Sequence, residues 1–301
     1  MKKEEVEALD PRIQEYLQYG VETGRINRGN IDRIFERLKK VEFVPIDGIA
    51  GYGGRTYISE DKIMVEICKG QLEMESKEFG RDFEEYYYEN VFHELNHASG
   101  LTEQEIEEKL KQLKEKFTDE NHPNIDLGYA VIDEVLAQRV AQEMVEAKYK
   151  EKYEGKEIMH PIKHRKFFYN ENGNIPDEDG YSYEYDSDLV WYGELEGFAL
   201  DFVESLYGDR NLDRVCQEHF KGELFDNMVT EYGKRRNGIE NLQQLLVYAG
   251  NIVRSDYYQQ GYHGKSIPKS YSNREMLQES IEGFNKIIKE EKERASGISY
   301  E

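Results

Sequence analysis

The sequence has few cysteines, a shortage of basic residues and no long apolar run, and each shortage excludes a class of protein. Cys68 and Cys216 are its only cysteines, too few for a disulfide framework and suited to a reducing compartment. No window of about 18 residues is apolar enough to cross a membrane. Lys2 and Lys3 precede no apolar segment, so we expect no signal peptide and a cytoplasmic location.

Acidic residues far outnumber basic ones. The chain has 62 Asp and Glu against 40 Lys and Arg, a formal net charge of −22. Because a phosphate backbone is recognised by a basic surface, we expect no nucleic-acid partner. A hydrophobic content of 38% with 23 tyrosines indicates a folded protein with a real core.

The apolar periodicity predicts an α+β fold that is mostly α. Residues 2–40 are predicted to be helical, with a possible break at Pro11 and a new helix after the cap-like Asn30. The only clear β region has strands at 41–46, 55–58 and 62–67, the last two joined by a hairpin-like turn. Further helices are predicted at 81–98, 102–117, 125–149, 188–207, 211–219, 221–236, 240–257 and 272–296.

The stretch from Val91 to Ala98 contains the strongest chemical signal. His93 and His97 are four residues apart, so on a helix both imidazoles lie on one face and can reach one metal ion. Glu94 is placed to take a proton from a metal-activated water. The opposite face is apolar, as expected of a helix with its back in a core: Tyr88, Val91, Leu95 and Ala98. In the simpler alternative the two histidines only hydrogen-bond within the fold.

A catalytic zinc ion normally has three protein ligands and one open position, so a third ligand is needed. Glu134 is the best candidate, because it lies on a separate, later helix and on a face that is otherwise apolar, where an unpaired carboxylate is costly. Asp133 and Glu143 compete with it. Asp133 points about 100° away around the helix, and Glu143 lies further along among polar neighbours.

The run from His93 to His97, followed by Glu134, resembles the zincin metallopeptidases of the glutamate-ligand (gluzincin) type. The resemblance covers about residues 41–150 and implies one Zn²⁺ per chain, held by His93, His97 and Glu134. It also implies Glu94 as general base, a peptide or protein substrate, and a small sheet whose edge strand holds extended substrate. Two departures stand out: a long separation between His97 and Glu134, and Gln138 where thermolysin-like members carry an acid that orients a ligand histidine.

On this reading the chain has three parts: an N-terminal helical segment (1–40), a zincin-like metal-binding core (41–150) and a mainly helical C-terminal subdomain (151–301). A donor that stabilises the oxyanion should come from the C-terminal part. Tyr192 is the first candidate, followed by His219 and His164, although ordinary packing is an alternative role for any one tyrosine. If the acidic stretch 167–209 borders the cleft, it favours basic peptides.

The sequence therefore predicts a zinc metallopeptidase, a hydrolase that cleaves peptide bonds with metal-activated water. Two alternatives stay open. One is a zincin-like protein with a regulatory, non-proteolytic role. The other is an acidic helical binding protein for a basic partner, which predicts no stoichiometric metal and binding that weakens steeply with salt.

Overall fold

The computed structural model describes residues 3–59, 61–78, 80–101, 125–153, 201–208, 212–259 and 271–295, together with 105, 108, 109 and 111. Over these residues the fold is α+β and mostly helical, with one three-stranded sheet. Among them, no helix is both long and apolar enough to cross a membrane. The coarse fold class predicted from the sequence is thus confirmed.

The chain forms two compact units. The first contains Met1–Ile106, Leu136–Ile158 and Cys216–Leu224, and the second contains Glu107–Val135, Met159–Val215 and Phe225–Glu301. The predicted division at residues 40 and 150 follows motifs rather than contacts, and it stays a prediction.

The first unit begins with helices α1 (Lys3–Glu7), α2 (Pro11–Glu22) and α3 (Ile31–Leu38). The expected break at Pro11 is confirmed, since proline occupies the first turn of α2, where a missing backbone N–H is harmless. The carboxylate of Asp10 caps this helix by accepting a hydrogen bond from the Arg12 backbone N–H at 2.9 Å. Both longer helices bury one apolar side: Ile13, Tyr16, Leu17, Ile34, Phe35 and Leu38.

The sheet contains β1 (Val41–Ile46), β2 (Gly54–Ile58) and β3 (Ile63–Cys68) in the order β1-β3-β2. Strands β2 and β3 are antiparallel, as the predicted hairpin requires, and β1 is parallel to β3. The inner face of β3 is fully apolar and buried, because alternate side chains of a strand point to the same side: Ile63, Val65 and Ile67.

Helix α5 (Phe83–Ser99) is the centre of the first unit and packs against α2, α3, β2, β3 and a helix, α4 (Lys69–Glu78), that the sequence did not predict. The carboxylate of Asp82 caps α5 by accepting from two backbone N–H groups. Gly100 ends it, as predicted. The apolar stripe of α5 is fully buried at Val91, Leu95 and Ala98.

Helix α6 (Ile125–Lys148) agrees closely with the predicted 125–149. It is followed by α7 (Lys150–Tyr153), a helical stretch at 201–207, and α8 (Leu212–Lys221), α9 (Leu224–Gly233), α10 (Gly238–Gln259) and α11 (Tyr271–Ala295). These helices confirm the predicted ones over their described residues. Most of the predicted helix at 102–117, and the acidic stretch up to residue 200, lie outside the described residues.

The second unit contains a buried carboxylate that is hydrogen-bonded to two arginines and an asparagine. In this unit α10 packs against α11. Glu291, on α11, is 0% exposed. It accepts hydrogen bonds from Asn241 at 2.6 Å, Arg294 at 2.7 Å and Arg235 at 2.8 Å. A buried charge is tolerated only when it is paired and hydrogen-bonded in this way.

Candidate metal centre

Helices α5 and α6 bring the three predicted ligands together. His93 and His97 lie one turn apart on α5, with their Nε2 atoms 3.0 Å from each other. One ligand atom from each of His93, His97 and Glu134 lies within 4.8 Å of the other two. Ligand nitrogens at about 2.05 Å from a tetrahedral zinc ion would be about 3.3 Å apart, so the two imidazoles are close to that separation. The three residues could hold a metal ion.

Two hydrogen bonds connect α5 to the turn of α6 that follows Glu134. The side-chain N–H of Asn96 donates to the carbonyl oxygen of Ala137 at 2.7 Å, and the Nδ1 of His93 lies 3.0 Å from the Oε1 of Gln138. The hydroxyl of Tyr16 donates to the Oδ1 of Asn96 at 2.9 Å. These contacts hold α5 against the part of α6 that belongs to the same unit.

The competing acids are placed differently. Glu143 forms a bidentate ion pair with Arg25, at 2.7 and 2.8 Å. Asp133 belongs to no group of potential metal ligands among the described residues. The structure thus favours Glu134 as the third ligand, since it is the one of these three acids that forms a group of potential metal ligands with the two histidines.

Strand β2 places the carboxylate of Glu94. Thr56 donates its hydroxyl hydrogen to the Oε2 of Glu94 at 2.7 Å, and the same hydroxyl lies 2.9 Å from the Glu94 carbonyl oxygen. A Cβ atom on Gly54 would lie only 2.7 Å from the Oε1 of Glu94. The backbone of β2 therefore abuts the carboxylate, and any residue larger than glycine at position 54 would displace it.

A chain of buried polar groups lies behind His93. The Gln138 amide is in contact with His93 through Oε1, and its Nε2 donates to the Oε1 of Glu89 at 2.7 Å. Arg81 donates to both carboxylate oxygens of Glu89. Burial acts to raise the pKa of Glu89, but the charge and hydrogen bonds of Arg81, with the hydrogen bond from Gln138, outweigh it and lower that pKa below its usual range. Glu89 is therefore ionised at neutral pH.

Gln138, at the position where thermolysin-like members carry the orienting acid, contacts His93. The roles of Glu89, Arg81, Thr56 and Gly54 were not predicted. Glu89 precedes His93 by four residues, the spacing of one helical turn, and this was the available signal for it.

Of the three candidates for the oxyanion donor, His219 alone is among the described residues. Tyr192 and His164 lie outside them. His219 is buried in α8 and its ring packs against Gly100 at the end of α5, with its Cε1 3.4 Å from the position of a Cβ on that glycine. It does not belong to the group formed by His93, His97 and Glu134.

Comparisons of the chain with protein-family models, with curated proteins and with solved structures found no match. The resemblance to gluzincins accordingly depends on the motif around His93 and on the position of Glu134. It stays a prediction about the family, and the chemistry has to be argued from the site itself.

Proposed function

We propose that the protein is a zinc-dependent peptidase with Glu94 as its general base. The observation that carries the proposal is the convergence of His93, His97 and Glu134, with ligand atoms within 4.8 Å of one another. Two imidazoles and one carboxylate form a donor set of catalytic zinc sites, which keep a fourth position open. Glu94 adjoins His93 in the sequence, and its buried carboxylate is held by Thr56.

The chain's own residues have defined parts in such a reaction. A zinc ion held by the three ligands would supply Lewis acidity to a water molecule and to the carbonyl oxygen of the substrate. Glu94 takes a proton from the water as its oxygen bonds to the carbonyl carbon. The same carboxylic acid then gives this proton to the amide nitrogen as the C–N bond breaks, so that Glu94 is regenerated.

The position of β2 supports a peptide as substrate. In the part of the sheet that the structure describes, β2 is an edge strand, and a strand edge offers backbone N–H and C=O groups to an extended peptide. The same strand carries Gly54 and Thr56 against the Glu94 carboxylate. A peptide paired along this edge would therefore pass close to the general base.

The substitution Glu94→Gln tests the proposal, with a library of fluorogenic peptides as substrates. Loss of the general base should lower the rate of hydrolysis by about 10²–10⁴-fold, while one zinc ion per chain is retained because no ligand is removed. Glu84→Gln is a matched control at an exposed position in the first turn of α5 and should leave the rate unchanged.

Hydrolysis at the wild-type rate in the Glu94→Gln variant would refute the assignment of the general base. A wild-type protein that binds one zinc ion and cleaves no peptide in the library would refute the peptidase, and would favour the regulatory zincin-like alternative.

A further inference from the structure

The buried groups behind His93 determine which nitrogen of its ring carries the hydrogen and which presents its lone pair. A carboxylate can only accept hydrogen bonds, so the amide of Gln138 must turn its Nε2 towards the ionised Glu89. Its Oε1 must then face His93, and an amide oxygen also only accepts. The hydrogen of the neutral imidazole is therefore on Nδ1. The lone pair is on Nε2, which is the atom that faces His97.

We propose that Glu89 is a positioning residue for the ligand His93 and that it acts through the amide of Gln138 by selecting the imidazole tautomer. The inference rests on the proposed metal centre, of which it specifies one ligand. Gln138 then takes the place of a carboxylate that contacts the ring directly. The negative charge lies on Glu89, one side chain further from the ring. Partners of this kind fix ring orientation and increase the basicity of a ligand histidine.

Arg81 completes this series of hydrogen-bonded groups by forming an ion pair with Glu89. Glu89 is 5% exposed, and a carboxylate so buried would be costly without a cation. The guanidinium of Arg81 contacts both of its oxygens, and it also lies 4.7 Å from the centre of the Tyr86 ring. Glu89 and His93 lie one turn apart on α5, and Gln138 lies on α6, so regular helices fix every member except Arg81.

The substitution Glu89→Gln should reverse the order of donors and acceptors. The closest contact of Arg81 is with the Oε2 of Glu89, so the new amide would place its oxygen there and its NH₂ group towards Gln138. Two NH₂ groups cannot face each other, and Gln138 would turn over to present its oxygen. Its Nε2 would then donate to the Nδ1 of His93, which would move the ring hydrogen to Nε2 and block the metal site.

The double substitution Glu89→Gln with Gln138→Glu should restore the original order. The amide at position 89 then donates to the carboxylate at position 138, and that carboxylate accepts from the Nδ1–H of His93. The charge is only exchanged between two buried positions in contact. The comparison of the single with the double variant therefore separates a role in selecting the tautomer from a role in folding.

The experiment uses metal-free full-length protein labelled with ¹⁵N-histidine, and zinc alone as the ligand. Imidazole ¹⁵N chemical shifts report the tautomer of His93, and competition with a chelator reports zinc affinity. We expect the Nδ1–H tautomer in the wild type and in the double variant. In Glu89→Gln we expect the Nε2–H tautomer and an affinity for zinc about 10–100-fold lower.

Glu85→Gln is the matched control. Glu85 lies one turn before Glu89 on α5, is equally buried at 6% exposed, and pairs with Lys152 instead. It should change neither the tautomer nor the zinc affinity. A Glu89→Gln variant that keeps the Nδ1–H tautomer and wild-type affinity would overturn the proposal, and so would a double variant no better than the single one.

A further pair of variants keeps the test decisive if Glu89→Gln alone does not fold. Gln138→Met removes the connecting amide at similar volume and should weaken zinc binding by about 10–100-fold. Adding Glu89→Gln to Gln138→Met should then cause no further loss, and an additional tenfold loss would contradict action through Gln138. These measurements do not depend on peptide hydrolysis. A protein that shows these tautomers but cleaves no peptide in the separate hydrolysis assay would refute only the peptidase.

Discussion

Two buried carboxylates, Glu89 in the first unit and Glu291 in the second, have similar partners and different connections. Each is paired with an arginine, Arg81 or Arg235, and each also accepts from a side-chain amide. The hydrogen bonds of Glu291 lead through Arg235 to the backbone carbonyl oxygens of Ser205 and Leu206. Those of Glu89 continue through Gln138 to a histidine whose other ring nitrogen faces a second histidine.

The difference shows what separates a structural ion pair from support of a site. Buried charge and an arginine partner are common to both places, so neither identifies function. The distinguishing feature is the group at the end of the hydrogen-bonded chain. In the second unit the hydrogen bonds lead to backbone carbonyl oxygens, and in the first they lead to an imidazole whose other ring nitrogen faces a second histidine.

The largest expected effect is at Glu291. Replacing Glu291 by alanine leaves Arg235 without its buried partner, and we expect a loss of about 3–5 kcal/mol in the free energy of unfolding. Chemical denaturation measures it. Glu290→Ala is the control, since Glu290 is 44% exposed and lies 3.9 Å from Arg294, and it should change stability by less than about 0.5 kcal/mol. If Glu291→Ala abolished zinc binding in protein that is still folded, the comparison would fail.

A second prediction concerns the space between β2 and α5. In Gly54→Ala the new Cβ would push the Glu94 carboxylate away, and a displacement of about 1 Å costs roughly 100-fold in the rate of hydrolysis. Zinc affinity should be unchanged, because the ligands are not touched. Gly233→Ala is the control, since its Cβ would meet Ile239 at an ordinary 3.7 Å. Equal rates in both variants would show that β2 does not place the base.

The smallest effect is expected at Thr56. Thr56→Val keeps the shape of the side chain and removes the hydrogen bond to Glu94, which should lower the rate of hydrolysis about tenfold, or about 1.5 kcal/mol. Thr56→Ser keeps the hydroxyl and should stay close to the wild type. A kinetic comparison of the two variants measures the hydrogen bond, and identical rates for Val and Ser would remove Thr56 from the account.

Much of the local structure could be predicted from the sequence because its signals are local. The bounds of β1, the cap-like Asn30 before α3 and the end of α5 at Gly100 all follow from residue types within a few positions. Glu134 could also be singled out from the sequence, because a carboxylate on an apolar helix face is unusual. Helix α4 was missed, since it follows β3 directly and its apolar residues have weak helical spacing.

The supports of the site could not be predicted, because they depend on contacts between distant segments. Thr56 and Gly54 acquire meaning only when β2 packs against α5, and the sequence does not give the order β1-β3-β2. Glu89 and Arg81 look like ordinary charged residues of a helix start. Their importance follows from the position of Gln138, which lies 49 residues after Glu89.

Titration of metal-free protein with zinc, followed by calorimetry, tests the central claim most directly. We expect one zinc ion per wild-type chain, with stoichiometric binding lost in Glu134→Ala and kept in Asp133→Ala, whose carboxylate is adjacent in sequence but about 100° away around the helix. A wild-type chain that binds no zinc, or a Glu134→Ala variant that binds one ion with unchanged affinity, would contradict it.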